Sequence, residues 1–76
     1  MFVYPISKGA DALCFLNVCA ALEKVLPSIE KGPLIADEAG MFQHYELNGN
    51  PVTVSNDCVK DAVFVESEVD LGHIFN

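Results

Sequence analysis

The segment Ala10–Leu26, ADALCFLNVCAALEKVL, constrains the fold more than any other part of the chain. Thirteen of its seventeen residues are apolar, and only Asp11, Asn17, Glu23 and Lys24 interrupt them. The larger side chains fall at Phe15, Val18, Leu22, Val25 and Ile29, a 3-4-3-4 spacing that lines one side of a helix. Leu13, Leu16 and Ala20 fall near the opposite side, so this helix carries a second, smaller apolar strip and calls for more than one neighbour. A membrane span needs about 20 consecutive apolar residues. This segment is shorter and carries Asp11, Glu23 and Lys24, so it reads as the core spine of a soluble protein with no membrane partner. Ser7 is the predicted N-cap. Pro27 ends or kinks the helix because it has no N–H to offer the Glu23 carbonyl. One further turn over Ser28–Lys31, closed by Gly32, can follow before Pro33.

The remaining sequence reads as strands. Met1–Ile6 is rich in β-formers, with Pro5 confining it to an edge. Leu34–Asp37 is a short strand before the turn at Glu38–Gly40. Met41–Leu47 alternates, placing Met41, Gln43, Tyr45 and Leu47 on one side and Phe42, His44 and Glu46 on the other. Asn48-Gly49 is a type I′ hairpin signal leading into Pro51–Ser55. Its register sets Tyr45 opposite Val52 and Gln43 opposite Val54, so the apolar sides agree. Val59–Glu66 is a further strand candidate, with a helix starting near Asp57 as the alternative that Val63-Phe64-Val65 argues against, and Val69–Phe75 is a tail with room for a short strand. The expected fold class is α+β: one long N-terminal helix on a mostly antiparallel sheet, in the order β-α-β-β-β, with a short C-terminal strand as an option. Residues 1–76 are expected to form one compact domain. Ile74 and Phe75 must either fold back on the core or insert into a neighbour.

Charge is divided unevenly. Residues 1–32 hold Lys8, Lys24 and Lys31 against Asp11, Glu23 and Glu30, which cancel. Residues 33–76 hold Lys60 alone against Asp37, Glu38, Glu46, Asp57, Asp61, Glu66, Glu68 and Asp70, so the whole net charge of −7 lies there. The chain has no Arg. Direct nucleic-acid binding is therefore disfavoured, because phosphates need a Lys/Arg patch. A basic protein surface is the natural electrostatic partner. The plainer account is that the acids keep an apolar protein dissolved.

Few residues offer chemistry. Glu66, Glu68 and Asp70 would point the same way in an extended strand, about 7 Å apart, as a ladder of negative charge. A calcium loop fails there, since its glycine position is Leu71 and its twelfth position lies beyond Asn76. Cys58, next to Lys60, with His44 or His73 as a base, is the one thiol arrangement to weigh, and nothing around it resembles a nucleophile elbow or a Cys-x-x-Cys pair. Two His and three Cys without paired spacing do not make a zinc site. Cys14 and Cys19 lie about 140° apart on a helix, so they neither bridge nor share a metal. An odd cysteine count with no secretory signal at Met1–Gly9 implies reduced thiols in the cytoplasm. No cofactor and no enzymatic activity are expected; a thiol- or metal-dependent small enzyme is the remotest alternative.

Two functions remain. The first is a small acidic interaction module that occludes a basic, nucleic-acid-binding protein surface, with Glu66, Glu68 and Asp70 as contacts and Asp37, Glu38 and Glu46 next. In composition the chain is similar to the small acidic inhibitors that phages use against host nucleic-acid machinery, anti-CRISPR and anti-restriction proteins among them. That likeness rests on no motif, and it implies an inhibitor that mimics nucleic-acid charge. The second is a homodimer or larger assembly joined through the neutral first half at Leu13, Leu16 and Ala20, with the acids only solubilising.

Overall fold

The computed structural model describes residues 1–75. Its elements are β1 (Phe2–Ser7), α1 (Ala12–Val25), β2 (Glu30–Asp37), β3 (Gly40–Leu47), β4 (Asn50–Asp57), β5 (Ala62–Ser67) and a single terminal turn, α2 (Gly72–Phe75). The strands form one antiparallel sheet in the spatial order β1-β5-β4-β3-β2. β2 to β5 are consecutive hairpins, and β1 adds on beside β5. The chain thus passes from one edge strand to the other through α1, which packs across one face against the central strand β4.

The expected fold class is corrected in three respects. First, the helix is not a long spine over Ala10–Leu26 but 14 residues, Ala12–Val25. Its N-cap is Asp11, whose Oδ1 accepts from the N–H of Leu13 at 2.9 Å and of Cys14 at 3.1 Å. Ser7 is unavailable for that role because it pairs with Val63 in the sheet and its hydroxyl closes a turn with Gly9. Two side chains of the distant β4–β5 region hold the start of α1 in place: Ala10 N–H donates to Asp61 Oδ1 and Asp11 N–H to Asn56 Oδ1, both at 2.9 Å.

Second, the order is β-α-β-β-β-β: all five candidate strand segments form strands, one more than the expected order β-α-β-β-β contains. No helical turn follows Pro27, because Glu30 and Lys31 already pair with Glu46 and Tyr45. β2 then absorbs Gly32-Pro33 as a bulge between Lys31 and Leu34. The buried amide of Gln43 secures that bulge, donating to Gly32 O at 2.8 Å and to His44 O at 2.9 Å. β5 begins only at Ala62, since Asp57 Oδ1 accepts from the N–H of Val59 and Lys60 and Asp61 adopts φ +53°.

Third, the tail forms no strand. Asp70 Oδ1 accepts from Gly72 N–H at 2.8 Å, and Leu71 O accepts from Ile74 and Phe75, which makes one helical turn. Phe75 folds back, its ring centroid 5.5 Å from that of Tyr4.

The Asn48-Gly49 turn has φ of +53° and +82°, as a type I′ hairpin requires, and Tyr45 opposes Val52 while Gln43 opposes Val54. Tyr45, Leu47, Val52, Val54, Val65 and Tyr4 line the inner face of the sheet against Phe15, Val18, Cys19 and Leu22 of α1. Val25, expected in that helical stripe, is exposed at the last turn, and Cys19 takes a core place instead. Leu71 is buried beneath the C-terminal turn, where its N–H donates to the Tyr4 hydroxyl at 2.7 Å.

Candidate functional site

Because strand residues alternate, α1 covers one face of the sheet and leaves the other open. Direct cross-strand partners share a face, so the pairing defines rows on this outer surface. One row runs Ile35, Phe42, Ser55, Phe64, Pro5. The next runs His44, Thr53, Glu66, Val3. At the far end, Glu30 opposes Glu46, which opposes Pro51, and Pro51 O accepts from Glu68 N–H at 3.2 Å. Glu30, Glu46, Glu68 and, one row in, Glu66 therefore gather at one end of the outer face.

The acids divide by type. Every aspartate is engaged with backbone: Asp11 caps α1, Asp37 Oδ1 accepts from Ala39 N–H at 2.8 Å, Asp57 holds the turn after β4, Asp61 holds Ala10, and Asp70 holds Gly72. A short carboxylate side chain reaches its own backbone two or three residues on, which suits turns and caps. Of the glutamates, Glu23 alone is paired among the described residues. Its Oε2 accepts from the Tyr45 hydroxyl at 2.7 Å and lies 3.5 Å from Lys31 Nζ. Among the described residues, Glu30, Glu38, Glu46, Glu66 and Glu68 have no hydrogen-bonding side-chain partner and no ion pair. Glu30 and Glu46 stand directly opposite each other, an unfavourable arrangement for like charges.

This changes the acidic ladder expected at Glu66, Glu68 and Asp70. β5 ends at Ser67, whose hydroxyl turns the chain by bonding to both the N–H and the carbonyl of Val69. Asp70 leaves the row altogether. It accepts from the Tyr4 hydroxyl at 3.0 Å as well as from Gly72, and these bonds hold its carboxyl below the usual carboxylate range, the Gly72 bond most. Glu66, Glu68 and Glu46 do come together, and Glu30, which the sequence credited to the neutral half, joins them. Asp37 and Glu38 sit exposed at the opposite end, in the β2–β3 turn. The signal for Glu30 was its place before a strand whose start lay hidden behind Pro27.

The helix strip is open to solvent: Leu13 is 68% and Leu16 55% exposed, and Ala20 is exposed beside them. Cys14, Cys19 and Cys58 are free thiols. Cys58 follows β4 at the Gly40 end of the hairpin, whereas His44 lies four residues along β3, about 13 Å away at the rise of a strand. His44 instead faces Thr53, whose Oγ1 is 3.2 Å from its Nδ1. His73 lies in α2, near Asp70. No nucleophile–base pair forms from these residues. Among the described residues no group of three or more His, Cys, Asp or Glu could hold a metal ion, and no helix is long and apolar enough to cross a membrane.

The two tyrosines and the buried thiol answer to the core rather than to a site. Burial first, then the bond to Glu23, raises the Tyr45 hydroxyl well above its ordinary value; burial likewise raises Tyr4 and Cys19. Comparison of the chain with protein-family models, with curated proteins and with solved structures finds no match.

Proposed function

We propose that this chain is a non-enzymatic interaction module that binds a basic surface of another protein through the glutamate end of its outer sheet face. The gathering of Glu30, Glu46, Glu66 and Glu68 with no ion pair among the described residues supports this reading. Surfaces that bind nucleic acid carry the Lys/Arg patches such a cluster complements, so the module would act by occluding one of them. Cations brought by a partner would relieve the repulsion within the cluster. Free thiols in all three cysteines fit a reducing cytoplasm as its place of action.

Capture of partners from the native lysate, at about 0.1 M and about 0.5 M salt, tests this, because exposed charge pairs are screened at the higher ionic strength. The captured protein should be basic, should be lost as salt rises, and should not bind a variant with Glu30, Glu46, Glu66 and Glu68 all changed to Gln. A partner retained in full at high salt, or bound equally by that variant, contradicts the reading.

The exposure of Leu13, Leu16 and Ala20 favours a second reading, a self-assembling subunit joined helix to helix. Light scattering at micromolar concentration would then show a dimer that Leu16→Glu dissociates without unfolding. A monomeric parent protein removes this reading.

A further inference from the structure

The glutamate end has an apolar neighbour on the same face. Ile35, Phe42, Phe64 and Pro5 occupy one cross-strand row, and the single polar member of that row, Ser55, is only 2% exposed. Glu46 and Phe42 are four positions apart on β3, so the two features lie about 13 Å apart. This row already receives one cation: Lys60 Nζ stands 5.2 Å from the centroid of the Phe64 ring. No such cation stands over Phe42 among the described residues, and Ile35 beside it is 48% exposed.

Resting on the reading that the glutamates meet a basic protein, we propose that the whole outer face receives one basic, amphipathic segment of that partner. Its Lys or Arg cluster lies against Glu30, Glu46, Glu66 and Glu68, and its apolar side chains lie against Ile35 and Phe42. Charge decides the occupant. A second copy would bring another net charge of −7 to this face, and a nucleic acid would bring phosphates. A cationic partner lessens the repulsion between Glu30 and Glu46, whereas either of those occupants would add to it. The apolar row supplies what the glutamates lack, since exposed charge pairs hold weakly and lose strength in salt while apolar burial does not.

Two synthetic peptides separate the components: one with an arginine cluster at one end and a leucine cluster at the other, and an oligoarginine without leucines. Titration of the isotopically labelled protein, followed by amide chemical shifts, gives both affinity and location. The amphipathic peptide should bind about tenfold more tightly than oligoarginine, and should shift β3 and β4 amides in both rows. Ile35→Thr should erase that tenfold advantage and leave oligoarginine binding unchanged, whereas Glu30→Gln with Glu46→Gln should weaken both peptides.

Equal binding of the two peptides, untouched by Ile35→Thr, overturns the apolar half of the site and leaves the acidic module standing. Failure of both peptides to bind overturns the acidic module as well. Shifts confined to α1 place docking on the helix and overturn the face. A dimer of the protein alone that Ile35→Thr dissolves makes the occupant a second copy, and likewise overturns the proposal.

Discussion

Two neighbouring rows cross the same five strands and end in different surroundings. On the inner side run Tyr4, Val65, Val54, Gln43 and Leu34; on the outer side, shifted by one residue, run Pro5, Phe64, Ser55, Phe42 and Ile35. Both rows are mostly apolar, so composition does not tell them apart. The cover does: α1 packs against β4, the C-terminal segment packs on Tyr4 through Leu71 and Phe75, and Leu34 on β2 lies outside both. Leu34, on the inner side, is therefore about as exposed as Ile35 on the outer side. The inner row is buried from Tyr4 to Gln43; on the outer row Lys60 stands over Phe64 and Ser55 is buried, while Ile35 and Pro5 at its two ends are exposed. A single layer of strands thus builds its core with one set of residues and leaves the other set partly exposed.

The largest expected effect breaks both rows at once. Gly40 opens β3 at φ +140°, and a Cβ there would lie 2.0 Å from Asn56 O, a backbone atom that cannot step aside. Gly40→Ala combines a forbidden backbone conformation with overpacking and should cost about 4 kcal/mol. Urea unfolding should show a much lower midpoint, and an unchanged midpoint would mean that the β2–β3 turn relaxes freely. Next comes the lid over the inner row. Leu22 is fully buried, and Leu22→Ala should cost about 3 kcal/mol by thermal or urea unfolding, from lost burial and a cavity. An effect under about 1 kcal/mol would show that α1 rests on the sheet more loosely than its packing indicates.

The inner side also predicts a response to alkali that the outer side lacks. Tyr45, Tyr4 and Cys19 all have raised values in the folded protein, with burial the first cause in each. The unfolded chain releases these protons at ordinary values, about 8.5 for the thiol and 10 for the tyrosines. Folded stability is therefore complete below those values and is lost as pH rises through the folded-state ones. Melting temperature should begin to fall above about pH 8.5 and fall more steeply above about pH 10. Tyr45→Phe should blunt the steeper part. A melting temperature flat to pH 11 would contradict this account of the buried hydroxyls.

Much of the sheet was legible because its signals are local. Asn48-Gly49 and the alternation of Met41–Leu47 specify a hairpin whose register has one solution, and the structure adopts it. The helix was legible as an element but not in extent. Its start depends on Asn56 and Asp61, more than forty residues away, and no local pattern reports them. β2 was half hidden because Gly32-Pro33 reads as a helix stop, whereas the sheet absorbs both in a bulge pinned by Gln43. The tail misled for a related reason: Tyr4 captures Asp70 and Leu71 across the whole length of the chain. For the candidate site, charge counting found the acidic half and named Glu46, Glu66 and Glu68. It also placed Asp70 with them, since a count does not distinguish an aspartate that caps a turn from a glutamate that stands free. Glu30 was lost to the same blindness, because only the β2–β3 pairing brings it opposite Glu46.

The smallest effect bears most directly on the claim that one row carries the fold and its neighbour is free for a partner. Val54→Thr and Ile35→Thr each introduce a hydroxyl into a strand while keeping a β-branched side chain, one on the buried inner row and one on the exposed outer row. Urea unfolding of the two variants should show a loss of about 2 kcal/mol for Val54→Thr, whose hydroxyl has no partner in the core, and about 0.5 kcal/mol or less for Ile35→Thr. Equal losses would contradict the account, because the outer row would then hold the fold together as much as the inner one.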